Sequence, residues 1–253
     1  MAIAFVKSAS TTSAGYALSV SVTAPAGGFA QGNFLVIGLS YHADLGSTYG
    51  ASVTCADTDG VNVYTNRQIF FYVHSDPTFR VGNMVWTTQI TQAIAAAEVI
   101  TFNFHASDLV RNFRVRVSEF SGTNTYLSAQ TVTGEASTTA VDIGSGVAPS
   151  GEELRIGWLN GVHFGLGGGN AFTPDAGWTG ITQLVSDNGV DTYQSDFVYG
   201  IFTSGTPHFG GDFGGAPATY WGGISLAFNF VPPQPIALPS GYVDTGIRKT
   251  VIM

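Results

Sequence analysis

Asn112-Phe113-Arg114-Val115-Arg116-Val117-Ser118-Glu119-Phe120 decides the fold class. Phe113, Val115 and Val117 alternate with Arg114, Arg116 and Ser118. That is the period of a strand, whose successive side chains point to opposite faces. The same period recurs outward in both directions. Val20, Val22 and Ala24 alternate with Ser19, Ser21 and Thr23, and Ile100, Phe102 and Phe104 alternate with Thr101, Asn103 and His105. Each pattern fits a sheet with one face in a core. Strands are expected over 2–8, 16–24, 33–41, 51–56, 61–74, 80–91, 98–105, 112–120, 126–134, 139–144, 153–160, 180–186, 191–203 and 219–230. Gly27-Gly28, Asp59-Gly60, Ser121-Gly122, Asn160-Gly161 and Asn188-Gly189 supply turns, because Gly adopts positive φ without steric cost. Gln92 to Ala97 reads as a loop with at most one helical turn.

The deciding stretch has an echo. Asn112 to Phe120 resembles Tyr220-Trp221-Gly222-Gly223-Ile224-Ser225-Leu226-Ala227-Phe228, and Gly32-Asn33-Phe34-Leu35-Val36-Ile37-Gly38 resembles Gly151-Glu152-Glu153-Leu154-Arg155-Ile156-Gly157. A β-sandwich whose halves pair equivalent strands accounts for this. No proline-rich or charged linker divides the halves, so residues 1–230 are expected to form one antiparallel, jelly-roll-like all-β sandwich domain. Residues 144–151 are the expected meeting point of the halves. They also suit a sheet-to-sheet crossover.

Beyond Phe230 the pattern changes. Val231-Pro232-Pro233-Gln234-Pro235-Ile236-Ala237-Leu238-Pro239 carries four prolines, which cannot donate to a sheet ladder and favour an extended arm. Residues 231–253 form that arm. Ile236, Leu238, Tyr242, Val243, Ile247, Val251 and Ile252 are its expected anchors on a neighbour, with Arg248 and Lys249 for orientation. An arm folded back over an edge strand of its own sandwich is the alternative.

Hydrophobic residues are 44% of the 253-residue chain, but charged residues are only 10%, against roughly 25% in typical domains. The polar surface must come from Ser, Thr, Asn, Gln and Gly, and such a surface has little charge to oppose self-association. A small cyclic oligomer, a trimer for choice, is expected. The net charge of −8 with nine Lys plus Arg argues against nucleic-acid binding, which requires phosphate neutralisation. Arg114 and Arg116 share a face that is solvated or interfacial. Cys55 is the single cysteine, so no internal disulfide is possible, and a buried free thiol in a strand is expected. The N-terminal Met1-Ala2-Ile3-Ala4-Phe5-Val6-Lys7 lacks the order of charge and apolar run of a signal peptide, and no stretch is apolar enough to span a membrane. Synthesis in a host cytoplasm and residence on a virion follow as the expectation.

Catalytic patterns were sought. Asp57, Asp59 and Asn62 alternate like calcium ligands, but Gln68 stands where a closing acid is needed, so an Asp-Gly turn is preferred. His42, His74, His105, His163 and His208 show no metal-ligand spacing. No Gly-x-Ser-x-Gly elbow is present. Glu152 and Glu153 are adjacent on a strand and face opposite sides, which a glycosidase pair does not. Gly165 to Asn170 precedes Phe172-Thr173-Pro174 instead of a helix, so it is no phosphate cradle. No metal, cofactor or catalytic residue is assigned. Trp158 and Trp221 read as core. Trp178, in a Gly-Trp-Thr turn, is the candidate for stacking on a sugar, and Phe209 and Phe213 are candidate exposed contacts or a cover folded over a sheet edge.

The order of features also carries a resemblance. A Gly-x-hydrophobic strand (32–38), the turn Asp57-Thr58-Asp59-Gly60-Val61-Asn62-Val63-Tyr64, a strand ending Glu-Phe-Ser-Gly (119–122), Glu153 to Gly157, the turn at 177–179 and a final aromatic strand (219–230) follow one another. This resembles the β-sandwich modules of bacteriophage virion proteins and bacterial surface proteins, similar to head decoration, cement or tail-associated proteins. The resemblance implies a non-enzymatic virion protein, a decoration protein on a phage shell bound to capsid protein and to itself. The alternative is a carbohydrate-binding or adhesion module of a tail, fibre or bacterial surface. Val61 and Val63 depart from the usual turn.

Overall fold

The computed structural model describes residues 3–44, 53–73, 79–105, 110–135, 140–143, 148–164, 171–187, 191–214 and 220–231. The expected arm residues 236–253 lie outside these. Among the described residues the chain forms strands and no helix: β1 (Phe5–Ser13), β2 (Ser19–Thr23), β3 (Phe34–Asp44), β4 (Thr54–Asp57), β5 (Thr65–Val73), β6 (Phe79–Gln89), β7 (Val99–Asn103), β8 (Val110–Phe120), β9 (Thr123–Glu135), β10 (Ala140–Ile143), β11 (Glu153–Phe164), β12 (Phe172–Pro174), β13 (Thr179–Asp187), β14 (Asp191–Phe202), β15 (Phe209–Phe213) and β16 (Tyr220–Val231). The antiparallel β-sandwich expected from the alternation is the fold.

The pairing repeats. A five-stranded sheet β1-β8-β3-β6-β5 faces a three-stranded sheet β2-β7-β4, and β9-β16-β11-β14-β13 with β10-β15-β12 reproduces that order eight strands later. Each set is a jelly roll with its fifth strand moved beside the sixth. The chain passes from the first roll to the second at Ser121-Gly122, where Gly122 has φ 81°. The expected junction at 144–151 instead joins β10 to β11 within the second roll. A short glycine turn suffices there because Phe120 ends one roll's last strand and Thr123 begins the next roll's first.

The two five-stranded sheets stack face to face, giving four layers. Strand β1 lies against β13, and β5 against β9. In repeat terms the first strand of each roll meets the fifth of the other, so the rolls are related by a pseudo-two-fold axis, as in an isologous dimer. Three large apolar clusters fill most of the space between layers. Leu35, Ile37, Leu39, Met84, Phe102 and Val115 lie in the largest, inside the first roll. Phe34, Val36, Val85, Phe120, Ile156, Trp158, Phe197 and Phe228 fill the space between the rolls. Val141, Ile143, Leu159, Trp178, Phe209, Phe213 and Trp221 fill the second roll.

Equivalent residues follow from register. Phe34 pairs with Phe120, and Leu154 with Phe228. The echo between 112–120 and 220–228 is therefore in structural register. The echo between 32–38 and 151–157 is one residue out: Gly38 faces the neighbouring roll while Gly157 faces its own outer sheet. A slip of one residue exchanges the faces of a strand.

Candidate functional site

Polar side chains collect in two buried places. The first is the seam between rolls. Arg114, fully buried, donates from Nε to Ser195 Oγ (2.9 Å), from Nη1 to Asn112 O (2.6 Å) and Ser186 Oγ (3.0 Å), and from Nη2 to Asn160 Oδ1 (3.2 Å). Its guanidinium also lies 5.4 Å from the Tyr193 ring centroid. Asn112 has φ 53°, beside the bulge of β8 against β3. Arg116 reaches Ser8 Oγ (3.2 Å) and the Thr182 carbonyl, and burial lowers its pKa to about 10, which leaves it charged near neutrality. The two arginines expected on a solvated or interfacial face are instead buried inside the chain, because a second sheet lies against β8.

The pseudo-dyad explains the rest of the seam. Arg114 lies opposite Ser40 on β3, and Gly222 opposite Asn160 on β11. Where the first roll has Arg114, the second has Gly222, and Asn83 fills the mirrored place, donating to the Gly222 carbonyl (3.3 Å) while accepting from Ser40 Oγ (2.5 Å). His42 stacks on Tyr193 with ring centroids 5.5 Å apart, and their counterparts Val162 and Val81 share an apolar cluster.

The second place lies on the outer face of the second roll's large sheet. Here β14 presents Gln194, Asp196 and Val198 on one side, since successive residues alternate. Gln194 Nε2 donates to Asp196 Oδ2 (2.6 Å), and its Oε1 lies 3.0 Å from His163 Nε2 on β11. With the amide so oriented, His163 Nε2 is the donor. Gln183 bonds Asp196 from the bulged stretch of β13 between Ile181 and Leu184. Burial pushes the Asp196 carboxyl up to about 7, against the opposing pull of the Gln194 and Gln183 bonds and the Arg116 charge. Burial also lowers the His163 pKa, partly offset by Gln194, which favours neutral imidazole. A cleft of about 220 Å³ opens beside these groups, lined by Ala171, Phe172, Gly180, Ile181, Thr182, Gln183, Asp196 and Val198.

The matching places of the first roll are filled differently. Leu159 pairs with Asp196 and Gly161 with Gln194, whereas Leu39 pairs with Met84 and Tyr41 with Gly82. Met84 is fully buried, and the Tyr41 ring covers Gly82 closely enough to leave no room for a Cβ.

The sequence-based candidates fall elsewhere. Trp178, Phe209 and Phe213 are buried, not exposed. Trp178 Nε1 donates to His208 O (2.9 Å), and its ring lies 5.4 Å from that of Phe209. They turn inward because the outer sheet of the second roll is small and needs large rings to fill its core. Asp57 Oδ2 accepts from Asn62 Nδ2 (2.6 Å), so the stretch is a side-chain-locked turn, in keeping with the turn preferred over a calcium loop. Cys55 is a half-buried free thiol in β4, its pKa raised by burial and by Asp57. Glu153 Oε1 accepts from Ser150 N (3.0 Å) at the start of β11. His42 and His163 are buried apart from each other, and His208 pairs with Asp175 (3.7 Å). Among the described residues no three His, Cys, Asp or Glu side chains gather. The arm candidates Ile236, Leu238, Tyr242, Val243, Ile247, Arg248, Lys249, Val251 and Ile252, and the Gly165 to Asn170 loop, lie outside the described residues. Sequence reasoning missed Asp196, Gln194 and Gln183.

No family model matches the chain, and neither a curated protein nor a solved structure matches it.

Proposed function

We propose that this protein is a non-enzymatic structural protein of a virion, a decoration protein that binds the outside of a phage shell. The observation that supports the reading is the use of buried polar groups. Arg114, Arg116, Ser195, Asn160 and Asn83 join the chain's own two rolls. The stack that results has a surface poor in charge, with 10% charged residues in the whole sequence. Such a body suits close packing among neighbours. In this reading residues 231–253 attach it, and copies associate in a small cyclic oligomer.

Electron microscopy of the particle that carries the protein tests this. Density for the four-layer stack on the shell is the expected result. A chain ending at Val231 should keep its thermal transition but lose particle binding. Undiminished binding by that chain, or a native protein found on no particle, would overturn the reading.

A further inference from the structure

We propose that the cleft between β12 and the β13–β14 pair binds one ring of a neutral sugar through Asp196 and Gln183. The argument rests on the comparison of the two rolls. At matching places the first roll closes its interior with Met84 and with Tyr41 over Gly82. The second has Asp196 at the place of Met84, and Gly161 paired with Gln194 at the place of Tyr41 paired with Gly82, and a cleft lies alongside. A buried carboxyl is costly in a core that an apolar residue would fill. Burying one at the wall of a cleft is what a recognition site requires, since pockets combine an apolar lining with a few convergent polar groups.

The chemistry narrows the ligand. Asp196 is held by amide bonds from Gln194 and Gln183, and a carboxyl group keeps acceptor capacity for hydroxyl donors in either protonation state, with an O–H donor added when protonated. Gln183 brings an amide, and Phe172, Ile181 and Val198 form an apolar wall. Hydroxyl edges and a C–H face are the two aspects of a sugar ring. A cation is disfavoured because Asp196 already feels the positive charge of Arg116 and belongs to no cluster of three metal-ligating side chains among the described residues. An anion would meet the carboxylate. The site uses no residue of 231–253, so it stands or falls independently of shell binding.

Saturation-transfer NMR on the full chain, with glucose, galactose, mannose and N-acetylglucosamine each offered singly, reads binding directly. At least one should show transfer that Asp196→Met abolishes and Asp196→Asn weakens about tenfold, the variants keeping the native circular dichroism spectrum. If Asp196→Met does not fold, Gln183→Ala serves, with at least about threefold weaker binding expected. Absence of transfer from every sugar overturns the proposal. So does binding unchanged by these substitutions, or a preference for the acidic sugar N-acetylneuraminic acid.

Discussion

Gly38 and Trp158 hold equivalent places in the two rolls and meet each other at the pseudo-dyad. A Cβ on Gly38 would lie under 3.0 Å from the Trp158 ring atoms Cδ2, Cε3 and Cε2. One roll supplies the space and the other the side chain that fills it. Two copies of the first roll would set glycine against glycine and leave a void, and two of the second would set indole against indole. The seam is thus specific for the unlike pair.

Gly38→Ala should destabilise the protein by about 1–3 kcal/mol through overpacking, and Trp158→Ala by about 3–5 kcal/mol through the cavity left behind. Urea unfolding of Gly38→Ala, Trp158→Ala, Trp158→Leu and the Gly38→Ala/Trp158→Leu double variant checks the contact. The double variant should lose less than the sum of Gly38→Ala and Trp158→Leu. Strict additivity would mean that the two positions do not share the space.

Arg114 should tolerate no simple replacement. Arg114→Ala leaves Ser195, Asn160 and the Asn112 carbonyl without their donor, and a loss of about 3 kcal/mol or more is expected, since each stranded buried acceptor costs about 1–3 kcal/mol. Arg114→Lys should also be strongly destabilising, because a point ammonium cannot reach acceptors spread around a planar fork. Denaturant midpoints for both variants provide the measurement, and a lysine variant as stable as the parent would refute the geometric account.

Asn62 locks the β4–β5 connection. Its Oδ1 accepts from Thr91 N (2.9 Å), Thr91 Oγ1 (3.1 Å) and Gln92 N (3.1 Å), while Nδ2 donates to Asp57 and to the Gln92 carbonyl (3.0 Å). Asn62→Ala should lower stability by about 1–3 kcal/mol, the cost of stranding buried polar partners. Added Ca²⁺ should leave the parent protein's thermal transition unmoved, since Asp57 is already engaged.

Asp196 gives a pH dependence of definite sign. Its folded pKa of about 7 lies above the value of 3.8 for a free carboxyl, so the folded state holds the extra proton between those limits. Stability from this group is full below about pH 4 and is lost as pH rises toward 7, by up to about 4 kcal/mol. His163 has the opposite sign, because its lowered pKa makes acid destabilising below about 6.5. Subtracting the urea stability profile of Asp196→Asn from that of the parent isolates the aspartate. The difference should fall between pH 4 and 7 and be flat above.

Much of the fold was legible because period-two alternation survives wherever one face meets a core. Strand β8 shows how far that extends. Phe113, Val115 and Val117 point into the first roll, but Arg114, Arg116 and Ser118, which alternate with them, are buried as well. Polarity marked the second face without telling whether water or another sheet lies against it. Gln194 and Asp196 in β14 were hidden for the same reason, since a polar alternation on a strand reads as solvated. Strands β12 and β15 escaped notice because Pro174 and Gly210-Gly211 are poor strand formers. Gly211 is nonetheless required, as a Cβ there would strike the Thr173 carbonyl and the Phe172 ring. The turn setting of Trp178 suggested exposure, but the turn only delivers the ring into the core.

The closure of each roll also dictates an order of events on the ribosome. Phe5 pairs with Phe120, so β1 waits for nearly half of the chain before it gains its partner. Such distant pairing is slow. The first roll becomes complete just as synthesis of β9 begins, yet the face bearing Phe34, Val36 and Val85 has no cover until β11, β14 and β16 emerge. For that interval the nascent chain carries an adhesive surface of the kind that chaperones bind.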